Sequence, residues 1–255
     1  MGDYELLNFS DPDALADAAT GDWLRQIANA NRQGAPHRVA LCGGRIARRF
    51  FAAAAARAKA EVVSLKQVHF FWSDERCVPP TDPESNYALA REYLLQPLAI
   101  PADHIHRLRG EVAPEVAAAE GEAEIRHYAG LNAGQQPILE LVFLGLGEDG
   151  NVASLFPDEP EAASASQGVF RPVLAPKPPP RRITLGYPAV ASAREVWVLA
   201  SGPGKAEALG KSLAPGEQTP LARVLRLREH TKIFTDIQSG YFSNRRLAGS
   251  DSPKI

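Results

Sequence analysis

Residues 141–157 read LVFLGLGEDGNVASLFP, and this stretch decides the fold. Residues 138–144 form the most apolar run in the chain, of strand length. They enter a glycine-punctuated turn carrying two adjacent acids, Glu148 and Asp149, and then the amide of Asn151. Apolar residues at consecutive positions predict a strand buried on both faces, as in a parallel sheet covered by helices. In such sheets, ligands gather at the carboxyl ends of the strands, so polar groups placed directly after the run mark a candidate site.

Working outward, the same alternation recurs on both sides. Ser10-Asp11-Pro12 starts a helix, with a capping side chain and a proline suited to the first turn. Leu15, Ala19, Trp23, Leu24 and Ile27 follow at helical spacing, and Gly34 closes the segment. Residues 38–41 predict a strand running into Cys42-Gly43-Gly44, and residues 45–59 a helix. Residues 68–72 (VHFFW) predict a strand that ends at Ser73-Asp74-Glu75-Arg76. Residues 85–95 and 113–129 have helical periodicity, and residues 104–108 read as a short strand between them. Further strands are expected at 183–185, 196–200 and 232–234. Helices are expected from Gly202-Pro203-Gly204-Lys205 through Leu213 and over 219–225. The expectation is an α/β protein with a doubly wound, mainly parallel sheet and helices on both faces. Residues 1–238 read as one domain and residues 239–255 as a polar, frayed tail.

Composition narrows the function classes. The 255 residues are 45% hydrophobic and 23% charged, as expected of a soluble globular chain. A formal charge of −2 gives no electrostatic reason for a nucleic-acid or membrane partner. Cys42 and Cys77 lack metal-ligand spacing and read as two unpaired thiols in a reducing compartment. No basic segment followed by an apolar core opens the sequence, and no apolar run approaches the ~20 residues of a membrane span. A cytoplasmic protein is expected. The six histidines are scattered, with no triad or metal spacing; His69, inside a strand, reads as a core residue.

The strand ends supply the chemistry. Gly43 and Gly44 between a strand and a helix let backbone N–H groups approach an anion at a helix N-terminus. Arg45, Arg48 and Arg49 oppose the helix macrodipole there, a penalty that a bound phosphate would reverse. Gly202-Pro203-Gly204-Lys205 repeats the device with an ammonium. Arg181 and Arg182, after the proline-stiffened APKPPPRR, could add a guanidinium. Asp74 and Arg76 read in two ways: as an ion-pair network that holds the loop, or as Arg76 steering an anionic or carbonyl group with Asp74 fixing its orientation.

In order along the chain stand LCGG (41–44), FWSDERCVPPTDPESN (71–86), LVFLGLGEDGNVASLFP (141–157), PRRITL (180–185), SGPGKAEAL (201–209) and TPLARVL (219–225). With these blocks the chain resembles the 6-phosphogluconolactonase family from end to end. The resemblance implies a fold related to glucosamine-6-phosphate deaminase and ribose-5-phosphate isomerase. It also implies hydrolysis of 6-phosphoglucono-δ-lactone, a phosphorylated sugar lactone, to 6-phosphogluconate in the oxidative pentose phosphate pathway, without metal or cofactor. Two positions depart from the family pattern. Cys42-Gly43-Gly44-Arg45 stands where Ser-Gly-Gly-Ser is usual, and Asn151 stands where GEDGH places the histidine proposed to activate water. An amide positions water but does not take its proton at neutral pH.

On this resemblance, phosphate falls to Arg45, Lys205, Arg182 and the Gly43 and Gly44 amides, and orientation to Arg76 and Asp74. Asn151 would hold the water, with Asp149 or Glu148 as base. A monomer or dimer is expected. Two other readings stay open. One is a sugar-phosphate-binding protein without turnover. The other is a deaminase or isomerase, which Phe156 argues against because that group carries an essential glutamate there.

Overall fold

A computed structural model describes residues 3–238; the expected polar tail lies outside them. Strands β1 (Asp3–Asn8), β2 (His37–Leu41), β3 (Val68–Trp72) and β4 (Asp74–Arg76) occupy the first third, with helices α1 (Pro12–Gln33) and α2 (Arg45–Ala60) between them. Helix α3 (Asn86–Ala90) continues as one π-turn. Then come α4 (Pro114–Tyr128), the short strands β5 (Gly130–Leu131) and β6 (Pro137–Ile138), and β7 (Leu141–Gly145). The last third holds α5 (Glu161–Ser164), β8 (Phe170–Leu174), β9 (Arg181–Leu185), α6 (Tyr187–Ser192), β10 (Glu195–Ala200), α7 (Ala206–Leu213), α8 (Pro220–Leu227) and β11 (His230–Thr235).

Six strands form a parallel sheet in the order β1-β11-β10-β7-β2-β3. Four consecutive residues of β7, Leu141 to Leu144, are buried, as are Val196 to Ala200 of β10. Because successive side chains point to opposite faces, both faces of the sheet are covered. Trp23 of α1 and Phe50 of α2 meet Phe143 of β7 at ring-centroid distances of 5.5 and 4.7 Å, and Trp197 of β10 meets it at 5.6 Å. This aromatic column anchors helices α1 and α2 to the centre of the sheet. Helix α1 begins as expected: the Asp11 carboxylate accepts from the Asp13 and Ala14 amides at 3.0 and 2.8 Å.

Several expectations need correction. Residues 104–108 are no strand: a 3-10 turn (Ala102–His104) precedes a single parallel bridge from Ile105 to Phe70. The apolar run at 138–144 is split: Ile138 pairs with Gly130 in the two-stranded β5-β6 sheet, and Glu140, whose carboxylate accepts from the Arg38 amide at 2.7 Å, lies between Ile138 and β7. Residues 183–185 pair outside the parallel sheet, in an antiparallel β4-β9-β8 sheet. Residues 203–205 form a 3-10 turn ahead of α7. The scattered histidines also converge in part: His69 stacks on His104 and His106 at 4.2 and 5.1 Å, and its Nδ1 lies 2.9 Å from His106 Nε2.

The sheet order fixes where a ligand can sit. From adjacent β2 and β7 the chain winds outward in opposite directions, so a crevice opens beyond their carboxyl ends. Gly43, Gly44 and the turn at 146–151 stand at that crevice. Among the described residues no helix is long and apolar enough to cross a membrane.

Candidate active site

Four segments enclose a cavity of about 280 Å³ at the crevice. The first is the β2–α2 junction. A Cβ on Gly43 would stand 1.8 Å from Asn86 Oδ1, so only glycine lets the chain pass. Gly44 caps α2 at φ 95°, in the left-handed region, and offers no side chain to the first helical amides. Those amides are left for a ligand. Arg45 is exposed and pairs with Glu148 Oε1 at 3.3 Å. Arg48 turns away to the Tyr93 hydroxyl and ring, and Arg49 to Asp13. Of the three arginines, only Arg45 lines this cavity. The Cys42 thiol is also part of the lining, but burial and Asp74 push it up to about 12, so it stays protonated.

The second segment is β4. The buried carboxylate of Asp74 accepts from Ser154 Oγ at 2.7 Å and from Asn86 Nδ2 at 3.1 Å. Next to it, Glu75 accepts from Ser85 Oγ and the amides of Arg76, Asn86 and Tyr87, which ties β4 to the start of α3. Burial outweighs those donors and pushes the Glu75 carboxyl up to about 7. Arg76 donates to the Glu84 carbonyl at 2.7 Å, while its buried Nε has no partner. Arg76 stands directly opposite Arg182 on β9. Burial and then Arg76 lower the Arg182 pKa. Two facing cations with an unpaired N–H make a strong case for an anionic or carbonyl ligand.

The third segment is the acid–amide turn. Glycine at 147 is required because a Cβ would meet Asn151 Oδ1 at 1.9 Å and Asp149 Oδ1 at 2.5 Å. The Asp149 carboxylate accepts from the Asn151 amide N–H at 3.2 Å. Asn151 Nδ2 donates to the Ala153 carbonyl at 2.7 Å, which fixes the side-chain amide over the turn. Glu148 lies against Gly204 and pairs with Arg45, so it engages the phosphate-cradle side of the site.

The fourth segment comprises two loops. Ser201 Oγ and the Gly202 amide both donate to Asp236 at 2.8 Å. These bonds hold Gly202, at φ 96°, ahead of Lys205, whose ammonium is lowered by burial and then by Arg45. In the proline loop, Lys177 Nζ donates to Asp149 Oδ2 at 2.7 Å and to Asn151 Oδ1 at 3.0 Å. Arg182 clamps this loop through Nε on the Pro179 carbonyl and Nη2 on the Lys177 and Pro178 carbonyls, at 2.9, 3.4 and 3.3 Å. The loop takes most of its donors, leaving Nη1 for an anion.

The structure thus gathers Gly43, Gly44, Arg45, Asp74, Arg76, Glu148, Asn151, Arg182 and Lys205 around one cavity, with Asp149 bonded to its rim. Sequence reasoning missed Asn86, quoted only as part of a motif, and Lys177, hidden among prolines. Five basic side chains (Arg45, Arg76, Lys177, Arg182, Lys205) face two carboxylates (Asp74, Glu148) in the lining. Among the described residues no cluster of three or more His, Cys, Asp or Glu side chains is arranged to hold a metal.

Residues 10–234 match a family model described as glucosamine-6-phosphate isomerases/6-phosphogluconolactonase. A 6-phosphogluconolactonase of Streptomyces coelicolor is 33% identical over 226 residues, covering 86% of this chain and 87% of that protein. The 6-phosphogluconolactonase of Homo sapiens is 37% identical over 177 residues, covering 69% and 67% respectively. A solved 6-phosphogluconolactonase from Trypanosoma cruzi superposes with a TM-score of 0.81 at 26% identity, over 96% of this chain and 98% of that one.

Proposed function

We infer the reaction from a family membership that is secure: the chain belongs to the glucosamine-6-phosphate isomerase/6-phosphogluconolactonase family. Within it, this protein is a hydrolase that opens 6-phosphoglucono-δ-lactone to 6-phosphogluconate. The observation that carries this reading to the present site is the excess of cations in a cavity of about 280 Å³ that Asn151 also lines.

In the mechanism we propose, the phosphate lies on the Gly43 and Gly44 amides at the N-terminus of α2, held by Lys205 and, from the rim, by Arg45. Arg182 gives the two N–H groups of Nη1 to the same ligand. Arg76, with its unpaired Nε, orients the sugar, and Asp74 fixes the wall behind it through Asn86 and Ser154. Water sits at Asn151. Asp149 takes the proton as the water oxygen bonds to the lactone carbon; Glu148, tied to Arg45, serves the cradle. Collapse of the tetrahedral intermediate breaks the ring C–O bond, and the proton returns from Asp149 to the departing alkoxide. General-base assistance is worth about 10²–10⁴-fold, a range within reach of a carboxylate next to the position usually held by histidine.

The corresponding place in metabolism is the second step of the oxidative pentose phosphate pathway, in the cytoplasm, with the protein acting as a monomer or dimer through residues 1–238. Acid release from freshly prepared 6-phosphoglucono-δ-lactone tests the reading. A rate above the protein-free blank and no ammonia from glucosamine 6-phosphate are expected. A rate equal to the blank refutes it.

A further inference from the structure

Lys177 belongs to none of the motifs that carry the family resemblance, yet its ammonium bridges the two groups at the centre of the proposed chemistry. Nζ donates to Asp149 Oδ2 at 2.7 Å and to Asn151 Oδ1 at 3.0 Å, and it lies 5.6 Å from the centroid of the Phe156 ring. An ammonium has three donors, and these contacts use two. Lys177 also lines the cavity. Its backbone is placed by Arg182 through three loop carbonyls. The side chain is 43% exposed, and these contacts hold its ammonium at the cavity wall.

We propose that Lys177 is a catalytic residue of the lactone hydrolysis: its third N–H binds the lactone carbonyl oxygen and stabilises the oxyanion that forms there. The proposal rests on the lactonase reading and adds the electrophilic partner that reading lacks. Water attacks the acyl carbon, and its proton passes to Asp149. The carbonyl π pair becomes the oxyanion against Lys177. The pair then returns to rebuild the C=O, the ring C–O bond breaks, and Asp149 delivers the proton to the alkoxide. Lys177 neither gains nor loses a proton in the cycle.

Asn151 fits this assignment. An imidazole meant to act as a base needs one ring nitrogen lone pair, and an ammonium at 3.0 Å would occupy it. An amide oxygen accepts the same hydrogen bond without losing a function. Asn151 and Lys177 therefore form a matched pair in which the amide positions the cation and Asp149 carries the proton.

The test compares wild type, Lys177→Met, Lys177→Arg and Asp149→Asn by initial rates on freshly prepared lactone, with thermal melts of each. The proposal expects Lys177→Met to lower kcat by about 10²-fold or more while KM changes less than threefold, as for loss of an oxyanion donor. Lys177→Arg should recover at least a tenth of the wild-type kcat, and Asp149→Asn should fall at least as far as Lys177→Met. A purely structural tether predicts instead a lower melting temperature and a raised KM with kcat largely kept, which would overturn the proposal. An active wild type with Lys177→Met above one third of its kcat overturns this inference alone. A wild-type rate equal to the blank overturns the lactonase reading with it.

Discussion

Replacing Gly43 by alanine puts the geometry of the crevice to a direct trial. The new Cβ would lie 1.8 Å from Asn86 Oδ1 and 2.4 Å from Asn86 Cγ, far inside contact distance. Asn86 is buried, and its Nδ2 donates to the Asp74 carbonyl at 2.9 Å and to Asp74 Oδ1 at 3.1 Å. Either Asn86 swings away and deprives Asp74 of both hydrogen bonds from its amide, or the β2–α2 junction retreats and carries the Gly44 amide out of the cavity. Overpacking costs about 1–3 kcal/mol, and stranding a buried acceptor about as much again, so a loss of about 3 kcal/mol is expected. For a chain of this size that is a fall of about 6–12 °C in melting temperature. Urea denaturation of Gly43→Ala, Asn86→Ala and the double variant measures it. Because Asn86→Ala vacates the space, adding Gly43→Ala to it should cost less than about 1 kcal/mol, a coupling of about 2 kcal/mol. Additive effects, or a single variant within about 1 kcal/mol of wild type, would refute the steric account.

His37 is buried and its Nε2 accepts from Trp23 Nε1 at 3.1 Å, so it must be neutral in the fold; burial lowers it to about 4. Above pH 6.5 folded and unfolded chains are both neutral at this position. As pH falls below 6.5 the unfolded chain takes up the proton first, so the stability difference between wild type and His37→Gln should shrink by about 2 kcal/mol from pH 7.5 to pH 5. Paired urea melts at the two pH values give the figure, and a constant difference would contradict it. Lys205→Ala should lower kcat/KM for the phosphorylated lactone by about 10–100-fold and leave the unphosphorylated glucono-δ-lactone within threefold, since it removes one charge-assisted phosphate contact; parallel pH-stat assays on the two lactones decide. The Arg228 guanidinium caps the C-terminal end of α6, donating to the Ala191, Ala193 and Arg194 carbonyls at 2.9, 2.7 and 3.1 Å. Arg228→Met should therefore cost about 3 kcal/mol in urea without changing kcat at 25 °C.

How much of this was legible depended on whether each signal was local. Strands β2, β3, β7 and β10 announce themselves because burial on both faces demands uninterrupted apolar residues. Strand β1 does not: at the sheet edge, DYELLN alternates between exposed and half-buried positions and looks like any polar segment. Strand β4 is the charged tripeptide DER, and β8 carries Pro172, tolerated because β8 is the outer strand of its sheet. Strand β4 is held by partners on β9 about a hundred residues away in the chain, which no local pattern encodes, and β8 forms a hairpin with the same β9 across the proline loop. The candidates that line the cavity were legible where they stand at strand ends: Gly43, Gly44, Arg45, Glu148, Asn151 and Lys205 follow parallel strands, while Asp74, Arg76 and Arg182 belong to the small antiparallel sheet. Lys177 was not, since a lysine among prolines becomes informative only when Arg182 folds the loop over Asp149 and Asn151. The histidine stack was missed for a related reason: His69 and His106 sit on separate segments and meet only when Ile105 bridges to Phe70.

The two sheets divide the work of the site in a way that explains why it is so rich in cations. The parallel sheet contributes the Gly43 and Gly44 amides and the end of α2, which attract an anion through their dipoles, with the charges of Arg45 and Lys205 beside them at its strand ends. The antiparallel sheet contributes full charges, with Arg76 and Arg182 set face to face by the register of β4 and β9. Facing guanidinium groups repel, and that repulsion would be a poor device for stability. It is tolerable because each arginine is also an anchor, Arg76 on the Glu84 carbonyl and Arg182 on the proline-loop carbonyls, so neither can swing into solvent without dismantling a wall. Asp74 joins the two systems: it begins the antiparallel β4, takes Ser154 from beyond the acid–amide turn, and takes Asn86 across Gly43. An anionic substrate therefore relieves a repulsion already built into the fold, and its binding energy comes with little reorganisation of the walls. Such an arrangement places a reactive ester without requiring a strong base beside it, which makes an amide at position 151 compatible with turnover.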